Sequence, residues 1–328
     1  MELRHLRYFV AVADERNFTR AAQRLGITQP SLSSQIKQLE TELGTPLFRR
    51  ETRSVELTDA GKLMLEEARI VLAEVERART GVARHARGET GKINLGSAGA
   101  TYFHPLIPAI IREFRKEHPE VILTPEESNT SMLLARLRAG AIDLAFVRPP
   151  FSDTDGLKFE PLVKEPILMV LPAAHPLAHA KSAPLSALAQ ERIILFERTI
   201  NPPVYDAILA AFARAGFSPR LAQEAPQVPS AIPMVAAGLG VTLVPASMSC
   251  LRPDGVVFVP VEGPALPAEI CLAYRRTQRS AAVKNFVSVA RRQAQAAAHP
   301  VISSHPKRSK PPPLRQSSAP DQKDARRG

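Results

Sequence analysis

The chain has 328 residues, which is enough for two or three domains with substantial cores. Hydrophobic residues make up 45% of it and charged residues 23%, an ordinary balance for a globular protein. No apolar run reaches the roughly 18 residues of a membrane span, and the first residues hold no apolar signal core, so we expect neither a membrane protein nor a secreted one.

The two cysteines, Cys250 and Cys271, have no His or Cys beside them. We therefore expect two idle thiols in a reducing cytoplasm, with no metal and no cofactor.

The net charge of +11 is distributed unevenly along the chain. Residues 1–58 carry +2, residues 59–90 carry 0, residues 91–298 carry +4 and residues 299–328 carry +5. Nearly half of the excess therefore lies in the last segment, which is rich in proline and poor in apolar residues. We expect this segment to be disordered or, alternatively, to be a sequence-independent tether to DNA. The overall charge alone is weak evidence for nucleic-acid binding.

The first elements in the chain are helical. Residues 2–14 predict an amphipathic helix, and residues 18–37 predict two short helices joined by a tight turn. Gly26 suits the left-handed conformation that ends the first of these two, and Pro30 lies in the first turn of the second, where its missing N–H is no loss. The apolar residues of the second helix that are expected to face inward are Leu32, Ile36 and Leu39. This pattern indicates a helix-turn-helix, although many two-helix turns never touch DNA.

The other side of the second helix carries hydrogen-bonding side chains, as a helix in a major groove requires. The candidate DNA-contacting residues there are Thr28, Gln29, Pro30, Ser31, Ser33, Ser34 and Lys37. Residues 47–58 then contain two short extended segments around a charged tip, which predicts a β-hairpin wing. The candidate phosphate contacts of the wing are Arg49, Arg50 and Arg53. A solvated hairpin tip is the alternative interpretation.

A long helix is predicted from Asp59 to about Arg87. Six of its residues follow a heptad spacing, namely Met64, Ala68, Val71, Val75, Ala78 and Val82. Such a seam brings two helices together, and a dimer suits the reading of a two-fold symmetric DNA site. Alternatively, the helix packs on its own domain. Residues 86–93 are polar and contain glycine, which predicts a hinge.

Residues 1–61 resemble the amino-terminal domain of LysR-type transcriptional regulators. The shared landmarks are the paired alanines at 21 and 22, the QPSLS segment, the LE..LG..LF.R run and the closing V.LT.AG. The resemblance continues to about residue 298 through GAIDLAFVR and VAAGLGVTLVPAS. It implies a winged helix-turn-helix, a dimerising linker helix, and a two-lobed effector domain like a periplasmic solute-binding protein. It also implies a cytoplasmic, nucleoid-associated bacterial homodimer or homotetramer that binds promoter DNA, works with RNA polymerase, and activates transcription while repressing its own gene.

Beyond the hinge, strands and helices alternate, and the β-α-β-α-β order predicts a parallel, helix-covered sheet. The expected fold class is thus a two-lobed α/β effector domain preceded by an α-rich winged helix-turn-helix domain. The expected divisions are residues 1–58 for the DNA-binding domain, 59–90 for the linker helix and hinge, 91–162 plus 267–298 for lobe I, 163–266 for lobe II, and 299–328 for the tail.

The ligands of doubly wound sheets bind beyond the carboxyl ends of strands, against helix amino termini. Two loops with hydroxyl groups occupy such places, at residues 97–101 and 128–131, and they suit a small carboxylate in the cleft between the lobes. The candidate effector-binding residues are Ser97, Ala100, Thr101, Asn129, Thr130, Arg148, Phe196 and Val204. Arg148 is expected to supply a full counter-charge. Plain helix capping explains the hydroxyl groups equally well.

The effector region is most similar to regulators of catechol and chlorocatechol breakdown, which sense muconate-like diacids. Thr130 stands where that group has a threonine touching the ligand carboxylate, whereas Ala100 stands where it has a serine. This departure argues against a muconate-type effector and leaves a general carboxylate or an aromatic-derived molecule. Similarly, Ser34 stands where many family members have arginine. The target DNA sequence therefore cannot be inferred from the target sequences of relatives.

Two other classes of protein fit the sequence less well. His175 and His179 have the spacing of a helical metal pair, but Pro176 lies between them and no carboxylate or cysteine completes a set. No nucleophile elbow, Walker loop or dinucleotide-binding motif occurs, so we expect no enzyme. A solute-binding transport protein is the second alternative. The amino-terminal helix-turn-helix and the missing signal sequence argue against it.

Overall fold

The computed structural model describes residues 1–50, 55–263, 266 and 268–298. The tip of the predicted wing with Arg53 and the basic tail lie outside the described residues, and only the backbone of Arg50 and Ala100 is described. The described elements form an amino-terminal domain, one long helix and two α/β lobes. Within them, no helix is both long enough and apolar enough to traverse a membrane.

The amino-terminal domain packs three helices and an antiparallel hairpin around one core. Its elements are α1 (Leu3–Glu15), α2 (Phe18–Leu25), α3 (Gln29–Leu43), β1 (Phe48–Arg50) and β2 (Val55–Leu57). The Asn17 side chain caps α2 by accepting a hydrogen bond from the backbone N–H of Arg20 at 3.0 Å. Gly26 ends α2 with a φ of 68°, the left-handed conformation that glycine adopts without a steric cost. The local sequence thus sets both ends of the helix that precedes α3.

A single helix, α4 (Asp59–Ala86), leads from this domain to the lobes. Its 28 residues make it roughly 42 Å long. Its first half packs against α1, and its end is tied to the lobes because the Asn285 side chain donates a hydrogen bond to the carbonyl oxygen of Arg87 at 3.0 Å. The chain then turns at Gly88, whose φ is 71°.

The elements after α4 are, in chain order, β3 (Thr90–Ala98), α5 (Leu106–Glu117), β4 (Glu120–Ser128), α6 (Thr130–Arg138), β5 (Leu144–Val147), β6 (Leu157–Lys164), β7 (Ile167–Pro172), β8 (Ala183–Pro184), β9 (Arg192–Phe196), α7 (Pro202–Arg214), β10 (Arg220–Ala225), α8 (Ala231–Ala236), β11 (Thr242–Pro245), β12 (Val256–Glu262), β13 (Glu269–Arg275) and α9 (Ala281–Ala298).

The first lobe is built on a five-stranded sheet with the order β4-β3-β5-β13-β6. The strands β3, β4 and β5 are parallel, as the alternating pattern predicts. The sheet as a whole is mixed, because β13 pairs antiparallel with both β5 and β6 after the chain returns from the second lobe. Helices α5 and α9 pack on one face around Phe114, Phe146 and Phe286, which are fully buried.

The second lobe contains a four-stranded sheet with the order β11-β7-β12-β8 and a parallel pair, β9 and β10. Its core is centred on fully buried side chains that include Met169, Phe212 and Ile232. The chain crosses between the lobes after β6 and again before β13. These two crossings place the carboxyl ends of β3, β4 and β5 opposite the amino end of α7, with a cleft between them.

Candidate DNA-binding and effector-binding sites

Helix α3 presents a polar side to solvent and an apolar side to the core. The exposed residues from the candidate set are Thr28, Gln29, Pro30, Ser31, Ser34 and Lys37, whereas Ser33 is half-buried. Leu32, Ile36 and Leu39 are fully buried, so α3 cannot rotate without exposing them. This amphipathic packing fixes which side of α3 is available to a DNA groove.

A buried histidine links α1 to α3. His5 is only 2% exposed, and its Nε2 lies 3.2 Å from Oε1 of Gln35. Its Nδ1 accepts a hydrogen bond from the backbone N–H of Glu2 at the start of α1. These two contacts bind the amino end of α1 to the middle of α3 and help to hold the exposed side of α3 in place.

The hairpin is anchored to α3 by one carboxylate. Glu40 Oε1 accepts hydrogen bonds from the backbone N–H groups of Leu47, at 2.8 Å, and of Phe48, at 3.2 Å. The Phe48 ring packs against Phe9, with ring centroids 5.2 Å apart. Glu40 of the LE pair thus holds Leu47 and Phe48 of the LF pair in place. Arg49 is exposed on β1, which suits a phosphate contact.

The start of α4 is packed closely against the same segment. The Thr58 hydroxyl accepts a hydrogen bond from the N–H of Gly61 at 2.9 Å and donates one to the carbonyl oxygen of Pro46 at 2.8 Å. A Cβ added at Gly61 would overlap the carbonyl oxygen of Leu47. The glycine of the V.LT.AG landmark is thus required by the closeness of α4 to the strand that enters the wing.

The predicted heptad seam of α4 divides into two parts. Ala68 is 1% exposed and Met64 is half-buried, and both pack into the core of the amino-terminal domain. The prediction that Ala68 belongs to an intermolecular seam is therefore corrected, because that side chain is already buried within its own domain. Val71 and Val82 are 39% and 72% exposed. The remaining seam positions, Val75 and Ala78, are half-buried and exposed respectively.

A cavity of about 100 Å³ lies between the two lobes. The first lobe contributes the carboxyl ends of β3 and β4, the start of α6 and the end of β5, which are the places that the topology of a doubly wound sheet predicts. The second lobe contributes a mostly apolar wall. This wall includes Ile167, Phe196, Ile200, Val204 and Ile208.

The first predicted loop approaches the cavity with different residues from those expected. Ala98 and Gly99 line it, whereas Ser97 and Thr101 are fully buried with their hydroxyl oxygens 2.5 Å apart. Successive strand residues face opposite sides of a sheet, so Ala98 at the cavity turns Ser97 away. The prediction that Ser97 and Thr101 contact the effector is corrected on this geometry. They hold the turn after β3 together.

The second predicted loop reaches the cavity at the start of α6. Asn129 is a capping residue, because its Oδ1 accepts a hydrogen bond from the N–H of Met132 at 2.8 Å. Thr130 follows it, is 4% exposed and lines the cavity. Across the cleft, Asn201 Nδ2 donates to Thr130 Oγ1 at 3.4 Å. Asn201 is not among the candidate residues, because an asparagine just before a helix ordinarily indicates a cap and gives no signal of a contact with the other lobe.

Arg148 lines the cavity, but its charge is already matched. Its Nη2 lies 2.7 Å from Oε1 of Glu165, whose side chain is 4% exposed. Glu165 Oε2 in turn accepts a hydrogen bond from the backbone N–H of Ser247 at 2.6 Å. Burial lowers the pKa of the Arg148 guanidinium, and the carboxylate of Glu165 opposes that shift. The expectation that Arg148 offers a full counter-charge to the effector is thus corrected.

Comparison with known proteins places both parts of the chain in one family. Residues 3–62 match the bacterial regulatory helix-turn-helix protein of the lysR family, and residues 86–295 match the LysR substrate binding domain. The chain belongs to the LysR family of transcriptional regulators. The family predicted from the sequence is therefore confirmed.

Two relatives show how far this LysR family resemblance extends. The HTH-type transcriptional regulator BudR of Raoultella terrigena is 39% identical over 289 residues, which cover 88% of this chain and 100% of that protein. The regulator AlsR of Bacillus subtilis is 37% identical over 289 residues, which cover 88% of this chain and 95% of that protein. These relatives are named as transcriptional regulators, and the chain is a DNA-binding LysR regulator and not an enzyme.

Solved structures of LysR family members have the same architecture. The crystal structure of CbnR superimposes with a TM-score of 0.77 at 28% identity, over 88% of this chain and 100% of that chain. Full-length CbnR bound to its target DNA gives a TM-score of 0.76 at 28% identity, over 90% of this chain and 100% of that chain. The predicted fold class, a winged helix-turn-helix followed by a two-lobed effector domain, is confirmed.

His175 and His179, whose spacing could suggest a metal site, do not line the cavity between the lobes of this LysR regulator. His175 Nε2 is 3.3 Å from Oε1 of Glu191, and its Nδ1 accepts a hydrogen bond from the N–H of Leu177. No three His, Cys, Asp or Glu side chains converge among the residues that the structure describes.

Proposed function

We propose that this LysR-type regulator binds promoter DNA through α3 and the wing, and senses a small carboxylate or aromatic-derived effector in the cavity between the lobes. The observation that carries the proposal is the presence, in one chain, of an exposed polar side of α3 and a cavity between the lobes that is lined by Thr130. Gln29 reads a base edge, and Arg49, Arg50 and Arg53 contact phosphates. The regulator activates transcription of its target and represses its own gene.

The protein works as a dimer that pairs again into a tetramer. The exposed apolar residues of α4, which include Ile70, Val71 and Val82, support pairing of this helix with a second copy. Effector binding changes the arrangement of the subunits on DNA, and so the access of RNA polymerase, only if the effector binds the two arrangements with different affinity.

Nuclease protection on the DNA immediately upstream of this protein's own gene tests the proposal. The experiment is run with and without a panel of aromatic and carboxylic acids. We expect protection over several helical turns, which shortens or loses a hypersensitive band with one acid. Protection that no acid alters would contradict the sensing part, and the absence of protection would contradict self-repression.

Replacement of Gln29 by alanine should weaken specific binding more than non-specific binding. Gln29 is exposed at the start of α3, and a side-chain pair with a base edge contributes roughly 1–3 kcal/mol of discrimination. We expect a loss of about tenfold or more in affinity for the protected sequence and little change on random DNA, measured by fluorescence anisotropy at one salt concentration. Lys37→Ala is the comparison variant, since loss of a cation should weaken both complexes alike. An equal loss on both DNAs in Gln29→Ala would refute the base-reading role.

Replacement of Thr130 by valine should remove the effector response and leave DNA binding unchanged. Valine has nearly the same shape but lacks the hydroxyl that lies at the cavity. Because a hydrogen bond to a charged group contributes roughly 1.5–3 kcal/mol, the effector concentration for half-maximal response should rise at least about tenfold. The measurement is the same nuclease protection with the acid found active. An unchanged response would rule out this pocket.

A further inference from the structure

Asn201 is placed as a helix cap but does not act as one. It precedes α7, which begins with Pro202 and Pro203, and its side chain makes no capping hydrogen bond. A cap normally accepts from the N–H of the second or third helical residue, and the second one here is a proline without an N–H. Asn129, by contrast, caps α6 in the usual way. The stabilising role that usually explains an asparagine at this position is therefore missing at Asn201.

The amide of Asn201 instead faces the other lobe. Its Nδ2 donates to Thr130 Oγ1, and Asn201 lines the cavity while being only 9% exposed. Only one of the two polar atoms of an amide can face Thr130, and the other, Oδ1, is buried without a hydrogen-bond partner among the described residues. A buried acceptor without a partner destabilises the fold. We therefore expect a bound molecule to donate a hydrogen bond to Oδ1 of Asn201.

The charges around the cavity restrict what that molecule can be. The guanidinium of Arg148 is matched by Glu165 at 2.7 Å, so this pair contributes almost no net charge to the cavity. The positive amino end of α6 and the hydroxyl of Thr130 remain to hold one anionic group. A second carboxylate on the same ligand would lie in an apolar wall or near Glu165, where burial of its charge is unfavourable.

We propose that Asn201 determines the specificity of this cavity, and that the effector is a small monocarboxylic acid that also carries a hydroxyl group. This inference rests on the proposed function and deepens it. The carboxylate binds at Thr130 and the amino end of α6, and the hydroxyl donates to Oδ1 of Asn201. The apolar remainder packs against Phe196 and Val204. The ligand thus bridges the lobes at the point where Asn201 and Thr130 already meet.

The first test concerns the ligand-free protein and needs no effector. Asn201→Leu replaces an unsatisfied buried acceptor with an apolar side chain of similar size, and it gives up only the long 3.4 Å hydrogen bond to Thr130 Oγ1. We expect the Tm of the effector domain in the full-length protein to rise by roughly 2–4 °C. Asn129→Leu, which removes a working cap at the equivalent place on α6, should lower Tm. A fall in Tm for both variants would show that Asn201 has a structural role only and would overturn the proposal.

The second test measures binding by isothermal titration calorimetry with three four-carbon acids, namely butyrate, 3-hydroxybutyrate and succinate. We expect 3-hydroxybutyrate to bind the wild-type protein at least about tenfold more tightly than butyrate, and more tightly than succinate. In Asn201→Leu the ratio between 3-hydroxybutyrate and butyrate should fall to about one. Equal binding of the two acids to the wild type, preference for succinate, or no binding of any of them would each overturn the proposal.

The proposed regulatory function and the proposed role of Asn201 can be refuted independently of each other. If nuclease protection responds to an acid without a hydroxyl, the proposed function stands and the role of Asn201 is wrong. If the protein protects no promoter DNA but binds 3-hydroxybutyrate with the expected ratio, the specificity of the cavity stands and the regulatory function is wrong.

Discussion

Gly61→Ala should unfold or displace the wing. The added Cβ would overlap the carbonyl oxygen of Leu47, which is a backbone atom and cannot rotate away as a side chain can. That carbonyl also accepts the N–H of Thr58, so any movement breaks a hydrogen bond as well. Overpacking of this kind costs about 1–3 kcal/mol and occasionally more, and the clash here is with backbone. We expect a lower Tm for the amino-terminal domain in calorimetry of the full-length protein, together with loss of promoter binding.

Gly81→Ala is the matched control on the same helix. In the described part of the chain, a Cβ built at Gly81 would meet nothing within 4 Å beyond its chain neighbours and the backbone of its own helix. Alanine there should therefore stabilise α4 by up to about 1 kcal/mol through helix propensity alone. If Gly61→Ala raised the Tm as Gly81→Ala is expected to, the close approach of α4 to Leu47 would be wrong.

Glu165→Ala should strongly destabilise the effector domain. It leaves the Arg148 guanidinium in a cavity wall where that side chain is 11% exposed, and it removes the acceptor of the Ser247 N–H. Loss of one partner of a buried ion pair costs about 3–5 kcal/mol. We expect a clear fall in the free energy of unfolding of the effector domain, measured by urea denaturation of the full-length protein.

Two further variants separate charge from packing. Adding Arg148→Met to Glu165→Ala should restore a large part of the lost stability, because it removes a buried charge that has lost its carboxylate. Asp206→Ala breaks the Arg198–Asp206 pair, which has similar distances of 2.9 and 2.8 Å but is exposed, and should change stability little. If Arg148→Met destabilised the Glu165→Ala variant further, the pair would not be the main reason for the loss.

The local sequence was sufficient to predict the helices of the amino-terminal domain and where they end. The cap at Asn17, the left-handed Gly26 and the spacing of Leu32, Ile36 and Leu39 act within a few residues along the chain, so their structural consequences can be derived without the rest of the fold. For the same reason the polar side of α3 could be recognised as the exposed one. The required glycine at 61 was visible as a landmark, but its cause, the carbonyl of Leu47, was not.

The sites of the effector domain depended on contacts between distant parts of the chain. The alternating strands predicted where the cleft would lie, but not that Ser97 and Thr101 would turn away from it and bind each other. The matched charge of Arg148 comes from Glu165, a residue on the crossing between the lobes. The available signal was an acidic residue next to Lys164 and before an apolar strand, and it does not indicate a partner.

The sequence by itself determined the family, the helix-turn-helix and the order of strands and helices, because periodicity, capping and turn chemistry act over short separations. The tertiary structure decided that Ala68 of the α4 seam is already covered, which hydroxyl groups face the cavity, and that Asn201 meets Thr130 from the other lobe. Each of these is a contact between residues far apart in the chain. Such contacts are set by how the elements pack, which no local pattern of residues specifies.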